Sequence, residues 1–328
     1  MKVDELAHKV MAVDSFNMLY QFLTTIRMRD GTPLKNSKGQ VTSHLVGLFS
    51  RVTNLMEQQL KLVFVYDGET PALKKAERAR RKEAKQEAAR KHEEAVKAED
   101  VEGMRKYAGR TAVLTADMIE ESRRLLEALG IPWIQAPAEG EAQAAHLVKS
   151  RDADYVVSQD TDCLLFGAPK MIKNLSISGK RRKPGSNVYI NVYPEVISLE
   201  DELKRLGISQ KQLIALGMLV GTDFNPGGIK GLGPKKGLKL VKEHGENLER
   251  VFSEAGWDEH QQVSWQEVYE LISTMQVTDD YKITWRPPNP GAAKKLLVEE
   301  FAFSDERVSN ALNKLGTSQA QKGLGDYF

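Results

Sequence analysis

Two pairs of carboxylates stand out by their spacing. Glu139 and Glu141 lie two residues apart in Ala-Pro-Ala-Glu-Gly-Glu, and Asp160 and Asp162 lie two apart in Ser-Gln-Asp-Thr-Asp. The first pair follows an apolar run at Trp133 to Gln135 and opens a helix. The second follows the apolar run Tyr155-Val156-Val157. Both pairs are therefore expected at the same end of adjacent parallel strands, where open α/β sheets place their sites. A single acidic pair is more commonly a helix cap or a solvated loop feature. Two pairs on consecutive strand ends would repel unless a cation sat between them, and hard divalent ions are the usual answer.

Three more acids share this pattern. Asp14 ends the apolar run Val10 to Val13, Asp67 ends the β-prone run Lys61 to Tyr66, and Asp223 sits beside a Gly-rich bend. Continuous apolar runs of this kind are the mark of strands buried in a parallel sheet. Helical periodicity returns between them, with Leu45, Leu48, Phe49, Val52, Leu55 and Met56 on one face of Ser43 to Leu60. A second amphipathic helix begins at Thr115-Ala116-Asp117 and stops at Gly130. Alternating strands and helices predict an α/β fold with a central, mostly parallel sheet flanked by helices. Three of the four tryptophans, Trp257, Trp265 and Trp285, read as packing residues. Lys170 to Leu175 and Val188 to Val192 read as strands of a hairpin whose tip, Ser178 to Gly185, is basic.

Charge is distributed unevenly. The chain has 328 residues and a formal net charge of only +2, yet Lys74 to Lys91 carries nine cations (Lys74, Lys75, Arg78, Arg80, Arg81, Lys82, Lys85, Arg90, Lys91) against three acids. From Leu73 to Ala112 there is almost nothing large and apolar, so helices here have no face to bury and are expected to project as mobile elements. Charge runs are usually solvated linkers. This one follows directly on Asp67, which puts its cations near the carboxylate end of the sheet and favours a grip on phosphate. A second basic feature, Gly231-Leu-Gly-Pro-Lys-Lys, sets glycines and Pro234 ahead of a helix carrying Lys235, Lys236, Lys239 and Lys242. Glycines there let backbone N–H groups approach a phosphate, a helix-hairpin-helix signal for holding a duplex without reading bases.

The single cysteine, Cys163, excludes a disulfide framework and a cysteine-based zinc site and reads as intracellular. No apolar run approaches a membrane span or a signal peptide. The last residues, Gln321 to Phe328, restore Leu324, Tyr327 and Phe328 after a polar stretch, the pattern of a docking peptide.

Asp14, Asp67, Glu139, Glu141, Asp160, Asp162 and Asp223, in that order, resemble the carboxylates of the flap endonuclease family of structure-specific 5′ nucleases, archaeal and eukaryotic type. AVDSFNMLYQFL, TSHLVGLF, VFVYDG, APAEGEAQAA, SQDTDCLLFG and GTDFNPGGIKGLGPKK look like that family's motifs in register over nearly the whole chain. QKGLGDYF looks like its sliding-clamp interaction box. The resemblance implies a PIN-like 5′ nuclease core with a helical arch insertion. It implies cleavage of 5′ flaps near the single-strand/double-strand junction and 5′-3′ exonuclease action at nicks and gaps, in DNA replication and repair. Two Mg2+ ions, replaceable by Mn2+, would be held by Glu139, Glu141, Asp160 and Asp162, with Asp14, Asp67 and Asp223 bound directly or through water.

By the same resemblance Lys74 and Arg81 contact the scissile phosphate. Their separation of seven residues also places them on one face of a helix. Tyr20 stacks on a base near the cut. Gly231, Gly233, Lys235 and Lys236 hold downstream duplex, in a motif that in the family also binds K+. Gln321, Leu324, Tyr327 and Phe328 engage a sliding clamp. The expected layout is a single nuclease domain over 1–316 and a flexible tail over 317–328. Within the domain fall an N-terminal region 1–112 with its arch at about 72–112, an internal region at about 113–230, and a C-terminal helical region at about 221–316. The protein is expected to act as a monomer in the cytoplasm of a prokaryote-type cell, at the nucleoid.

Two departures bear on activity. The chain starts Met1-Lys2 where the family starts Met-Gly and reaches its first aspartate later, and Glu69-Thr70 stands where Lys-Pro is common. A nuclease-inactive, clamp-recruited junction binder therefore stays open as a second reading. A metal-dependent phosphatase, suggested by Asp160-Thr-Asp162 alone, is a third, disfavoured by the two basic features.

Overall fold

The computed structural model describes residues 3–28, 30–98, 100, 103, 107, 111–177, 179–182 and 188–320. Among the described residues there are eight strands: β1 (Val10–Asp14), β2 (Lys61–Tyr66), β3 (Trp133–Gln135), β4 (Tyr155–Val157), β5 (Lys170–Lys173), β6 (Gly179–Arg182), β7 (Tyr189–Val192) and β8 (Glu195–Ser198). Six form one sheet in the order β3-β2-β1-β4-β5-β8, and β6 and β7 make a separate two-stranded ribbon. The first five strands of the large sheet are parallel, while β8 lies antiparallel to β5.

Both faces of this sheet are covered, which is why its central strands β1, β2 and β4 are apolar at nearly every position. Along β1 and β2, Met11, Val13, Leu62, Phe64 and Tyr66 join the core that packs under α1 (Ser15–Thr25), α2 (Ser43–Glu57) and the later helix Ala116–Ala128. The intervening Ala12, Val63 and Val65 point the other way, onto Ala144, Ala145, Leu147 and Val148 of the helix Gly140–Lys149. That alternation is the period-2 geometry of a strand with two buried faces. These elements are numbered here with α3 (Lys75–Lys97) between them, so that Ala116–Ala128 is α4 and Gly140–Lys149 is α5.

After β8 the chain becomes helical, through α6 (Leu199–Leu206), α7 (Gln210–Val220) and α8 (Pro234–His244). A second core forms there around Met218, Leu219, Val241, Phe252 and Trp257. The tryptophans pack as expected. Phe252 meets Trp257 edge-on with ring centroids 5.0 Å apart and stacks on Trp265 at 4.8 Å, and Trp285 donates its indole N–H to the Leu62 carbonyl at 2.8 Å. Residues 277–289 form an irregular strap that returns from this core to the sheet, the Arg286 N–H donating to the Gly130 carbonyl at 2.9 Å. Gly130 has φ +73°, and a Cβ there would meet the Arg286 carbonyl oxygen at 2.0 Å, so both the conformation and the close approach require glycine.

Three expectations change. β3 and β4 are not neighbours, because β2 and β1 lie between them. The expected hairpin is also redistributed: Lys170–Lys173 joins the large sheet, and part of the presumed basic tip, Gly179–Arg182, is a strand paired with Tyr189–Val192. Local charge could not show that the apolar Lys170 run had β4 to pair with. At the C-terminus the helix Asp305–Ala320 takes in the first four residues of the expected tail, 317–320.

Candidate functional site

The carboxylates gather where the strand order changes direction. The chain proceeds from β1 outward to β2 and β3, then crosses to β4 and β5 on the other side of β1. In open α/β sheets the crevice at the carboxyl ends beside such a switch point is where ligands bind. Asp14 is the last residue of β1 and caps α1, its Oδ1 accepting from the Asn17 N–H at 3.0 Å. Asp67 follows β2, and its Oδ1 accepts from the Gly140 N–H at 2.7 Å. A Cβ at position 140 would come within 2.7 Å of that oxygen, so glycine is what lets the start of α5 approach Asp67.

That approach explains how two pairs on separated strands still meet. α5 crosses back over the sheet and carries the first pair with it. Glu141, in its first turn, has Oε1 3.1 Å from the Ser158 hydroxyl, which lies just past β4. The same hydroxyl stands 3.2 Å from Asp14 Oδ2 and accepts from the Asp160 N–H at 3.1 Å. Ser158 thus ties three of the seven acids together, and the sequence reading missed it. One hydroxyl proton cannot serve two carboxylates at once, so Ser158 donates to Asp14 or to Glu141 and not to both. Burial and then the charge of Asp67 raise Asp14 to about 7. Burial and then Glu139 raise Asp67 to about 6, and burial and then Asp160 raise Asp162 to about 7. Burial and then Asp14 hold Glu141 well above the ordinary glutamate range. This is the signature of buried like charges short of positive charge.

The opposite wall is cationic. Lys74 ends a single 3-10 turn (Ala72–Lys74) and α3 begins at Lys75, so the two cations do not share one regular helix as their spacing suggested. They converge nonetheless. Lys74 Nζ donates to Glu139 Oε2 at 2.6 Å and reaches Asp223 Oδ2 at 3.1 Å, while Arg81 Nη2 bonds Asp223 Oδ1. Burial alone would lower the Lys74 pKa, but the charges and hydrogen bonds of Glu139 and then Asp223 outweigh it and hold the ammonium above the ordinary lysine value. Nor is α3 wholly solvated: the Glu77 carboxylate is buried beneath it, accepting from Arg80 Nε and Arg81 Nε at 2.7 Å each.

Between floor and wall lies a cleft of about 930 Å3 lined by Phe16, Tyr20, Asp67, Lys74, Arg78, Arg81, Lys82, Lys85 and Glu139. Tyr20 faces this cleft, with Lys85 Nζ 4.8 Å from its ring centroid. The Lys85 contact was not foreseen; its spacing of four from Arg81 was the available signal. At the other basic feature, Gly231 has φ +87° and Gly233 caps α8 with Pro234 in its first turn. A Cβ on either glycine would meet nothing within 4 Å, so the backbone faces open space, and Lys235 and Lys236 beside it are exposed. Gln321, Leu324, Tyr327 and Phe328 lie outside the described residues.

Cys163 is buried with its sulfur 3.7 Å from that of Met171, which leaves oxygen donors at the strand ends. An all-carboxylate donor set suits a hard divalent cation. Among the described residues no three His, Cys, Asp or Glu side chains are drawn together so as to hold an ion. Glu139 and Asp223 are instead turned to Lys74, Asp67 to the Gly140 N–H, and Glu141 to Ser158. No described helix is long and apolar enough to cross a membrane.

A mostly parallel sheet with acids at its carboxyl ends is the PIN-like fold of the 5′ nucleases, and similar proteins agree. The XPG N-terminal domain matches residues 1–88 and the XPG I-region residues 130–223. The chain is 50% identical over 311 residues to flap endonuclease 1 of Hyperthermus butylicus, covering 94% of this chain and 88% of that one. It is 49% identical over 316 residues to flap endonuclease 1 of Aeropyrum pernix, covering 96% and 90%. Among solved structures, flap endonuclease-1 from Methanococcus jannaschii superposes with a TM-score of 0.76 at 38% identity, covering 98% of this chain and 96% of that one. The catalytic core of Rad2 in complex with DNA substrate follows at 0.69 and 27%, covering 96% and 95%. The chain belongs to the flap endonuclease 1 family, whose members are metal-dependent nucleases.

Proposed function

We propose that the protein is a structure-specific nuclease that cuts 5′ flaps of DNA near the single-strand/double-strand junction, and trims 5′ ends at nicks and gaps, in replication and repair. The observation that carries this reading is a cluster of buried acids at the strand ends beside a wall of cations, with Asp67 and Glu139 lining the cleft of about 930 Å3 between them. Asp14, Asp67, Glu139, Glu141, Asp160, Asp162 and Asp223 would hold two Mg2+ ions, or Mn2+ in their place. The chemistry a bound ion pair would supply is activation of a water and stabilisation of the leaving oxygen in phosphodiester hydrolysis.

The chain's own residues do the rest. Lys74 and Arg81 reach one point from two elements, so a phosphate oxygen arriving there meets both an ammonium and a guanidinium donor. Tyr20 offers a π-face to a base in the cleft, a sequence-tolerant grip. Gly231 and Gly233 leave room for a duplex phosphate at the N-terminus of α8, where Lys235 and Lys236 add charge. A K+ ion in that loop and docking of residues 321–328 on a PCNA-type sliding clamp complete the reading, for a monomer working on nucleoid DNA.

A double-flap substrate labelled on its 5′ flap tests it. Incision near the junction with Mg2+ and none with chelator is the expected result. Tight binding with no metal-dependent incision would leave a junction-binding protein instead, and hydrolysis of small phosphate esters without incision would point to a phosphatase.

A further inference from the structure

The two cations expected to meet a phosphate are already paired with acids. Lys74 Nζ lies between Glu139 and Asp223, at 2.6 Å and 3.1 Å, with its side chain only 17% exposed. Arg81 takes the other oxygen of Asp223 and is steadied from behind by Glu77, whose side chain is 4% exposed in a segment otherwise rich in solvated charge. We infer that Lys74 and Arg81 have a second role, as internal counter-ions that hold Glu139 and Asp223 and that a divalent cation must displace. The inference rests on the metal-binding reading above. It concerns which groups of this chain contend for the same carboxylate oxygens.

The physical argument is one of exclusion. A carboxylate oxygen in hydrogen-bond contact with an ammonium cannot also bind a divalent ion closely without bringing two cations together in a poorly solvated cleft. Glu139 and Asp223 come from segments far apart in sequence, and Lys74 holds both, so losing Lys74 releases two acids at once. The competition is reciprocal: whatever draws Lys74 and Arg81 away raises the affinity for metal by the factor with which metal frees these cations. A DNA phosphate entering the cleft is such a group. Metal and strand would therefore assist each other through Lys74, beyond their direct attraction.

The test is a titration of Mn2+ into the full chain without DNA, following free Mn2+ by electron paramagnetic resonance. The expected result is that Lys74→Met binds Mn2+ about fivefold tighter than wild type or more. Arg81→Met, which loses a more exposed contact to Asp223 alone, should shift the same way by less. Lys85→Met removes an equal charge from α3 without touching a carboxylate and should stay within about twofold of wild type, as a screened charge would. Hydrogen exchange supplies a second readout: amides of residues 72–85 in wild type should exchange faster once Mn2+ is bound. An affinity in Lys74→Met that is unchanged, weaker, or matched by Lys85→Met would overturn the counter-ion role, as would exchange that Mn2+ leaves unaltered or slows. If wild type binds Mn2+ and Lys74→Met binds no tighter, only this inference fails. If wild type binds none, the metal site fails with it.

Discussion

The floor and the wall of the cleft bear opposite charges and are built in opposite ways. Asp14 and Asp67 at the ends of buried strands and Glu141 on the first turn of α5 are fixed by backbone N–H groups or the Ser158 hydroxyl, while Glu139 and Asp223 are held by Lys74 and Arg81. The wall cations sit on long, flexible stems along α3 and the turn before it, and they are steadied through their side chains, by ion pairs, by the Arg78 hydrogen bond to Thr70 and by the contact of Lys85 with the Tyr20 ring. Rigid backbone donors hold an oxygen in place at little further entropic cost, whereas a lysine or arginine must give up rotamer freedom each time it engages. The floor is therefore suited to chemistry, which tolerates little displacement, and the wall to a substrate that must thread, bend and leave.

That contrast can be broken from either side. The largest effect belongs to the floor: Asp162→Ala should lower single-turnover cleavage on the order of 10³-fold, in the range of losing a key electrostatic group. A loss of tenfold or less, measured by quenched flow, would show the acids to be interchangeable. Next comes the wall at its most buried point. Lys74→Ala should reduce the rate on the order of 10²-fold, with incision still at the junction; scattered cut sites would mean that it positions the strand instead. Tyr20→Ala should cost about tenfold in flap affinity, as the loss of one base stack does. An unchanged dissociation constant would assign its ring to α1 packing. The smallest change is expected at the Gly-hairpin, where Lys235→Ala and Lys236→Ala should each weaken duplex binding severalfold and flatten its log–log salt dependence by about one unit. An unaltered slope would remove the duplex from α8.

Much of the floor was legible in the sequence because parallel strands advertise themselves. Lys61–Tyr66 and Tyr155–Val157 are apolar at nearly every position, and an acid directly after such a run has one place to be, the end of the sheet. What the sequence did not show was strand order. Glu139 and Asp160 looked like neighbours along the chain, yet β2 and β1 separate their strands, and only the crossing of α5, allowed by Gly140, brings them together. The wall was legible as composition and not as contact. Nine cations between Lys74 and Lys91 announced a grip on phosphate, but nothing in their spacing revealed that Lys74 would lie against Glu139, or that Glu77 would be buried beneath Arg80 and Arg81. Ser158 was invisible for a simpler reason: a serine after a strand is ordinary, and its hydroxyl matters only because Asp14 and Glu141 arrive from elsewhere.

The central claim is that acids on the floor perform chemistry, assisted by Lys74 and Arg81 at the phosphate, while the other cations of the wall and those of the hairpin bind DNA. It is tested most directly by measuring flap affinity and single-turnover rate on one substrate for Asp160→Ala, in Mg2+. The account predicts a rate lowered on the order of 10³-fold with a dissociation constant unchanged or slightly tighter, because one negative charge facing the phosphates is gone. Binding lost with the rate retained would contradict it.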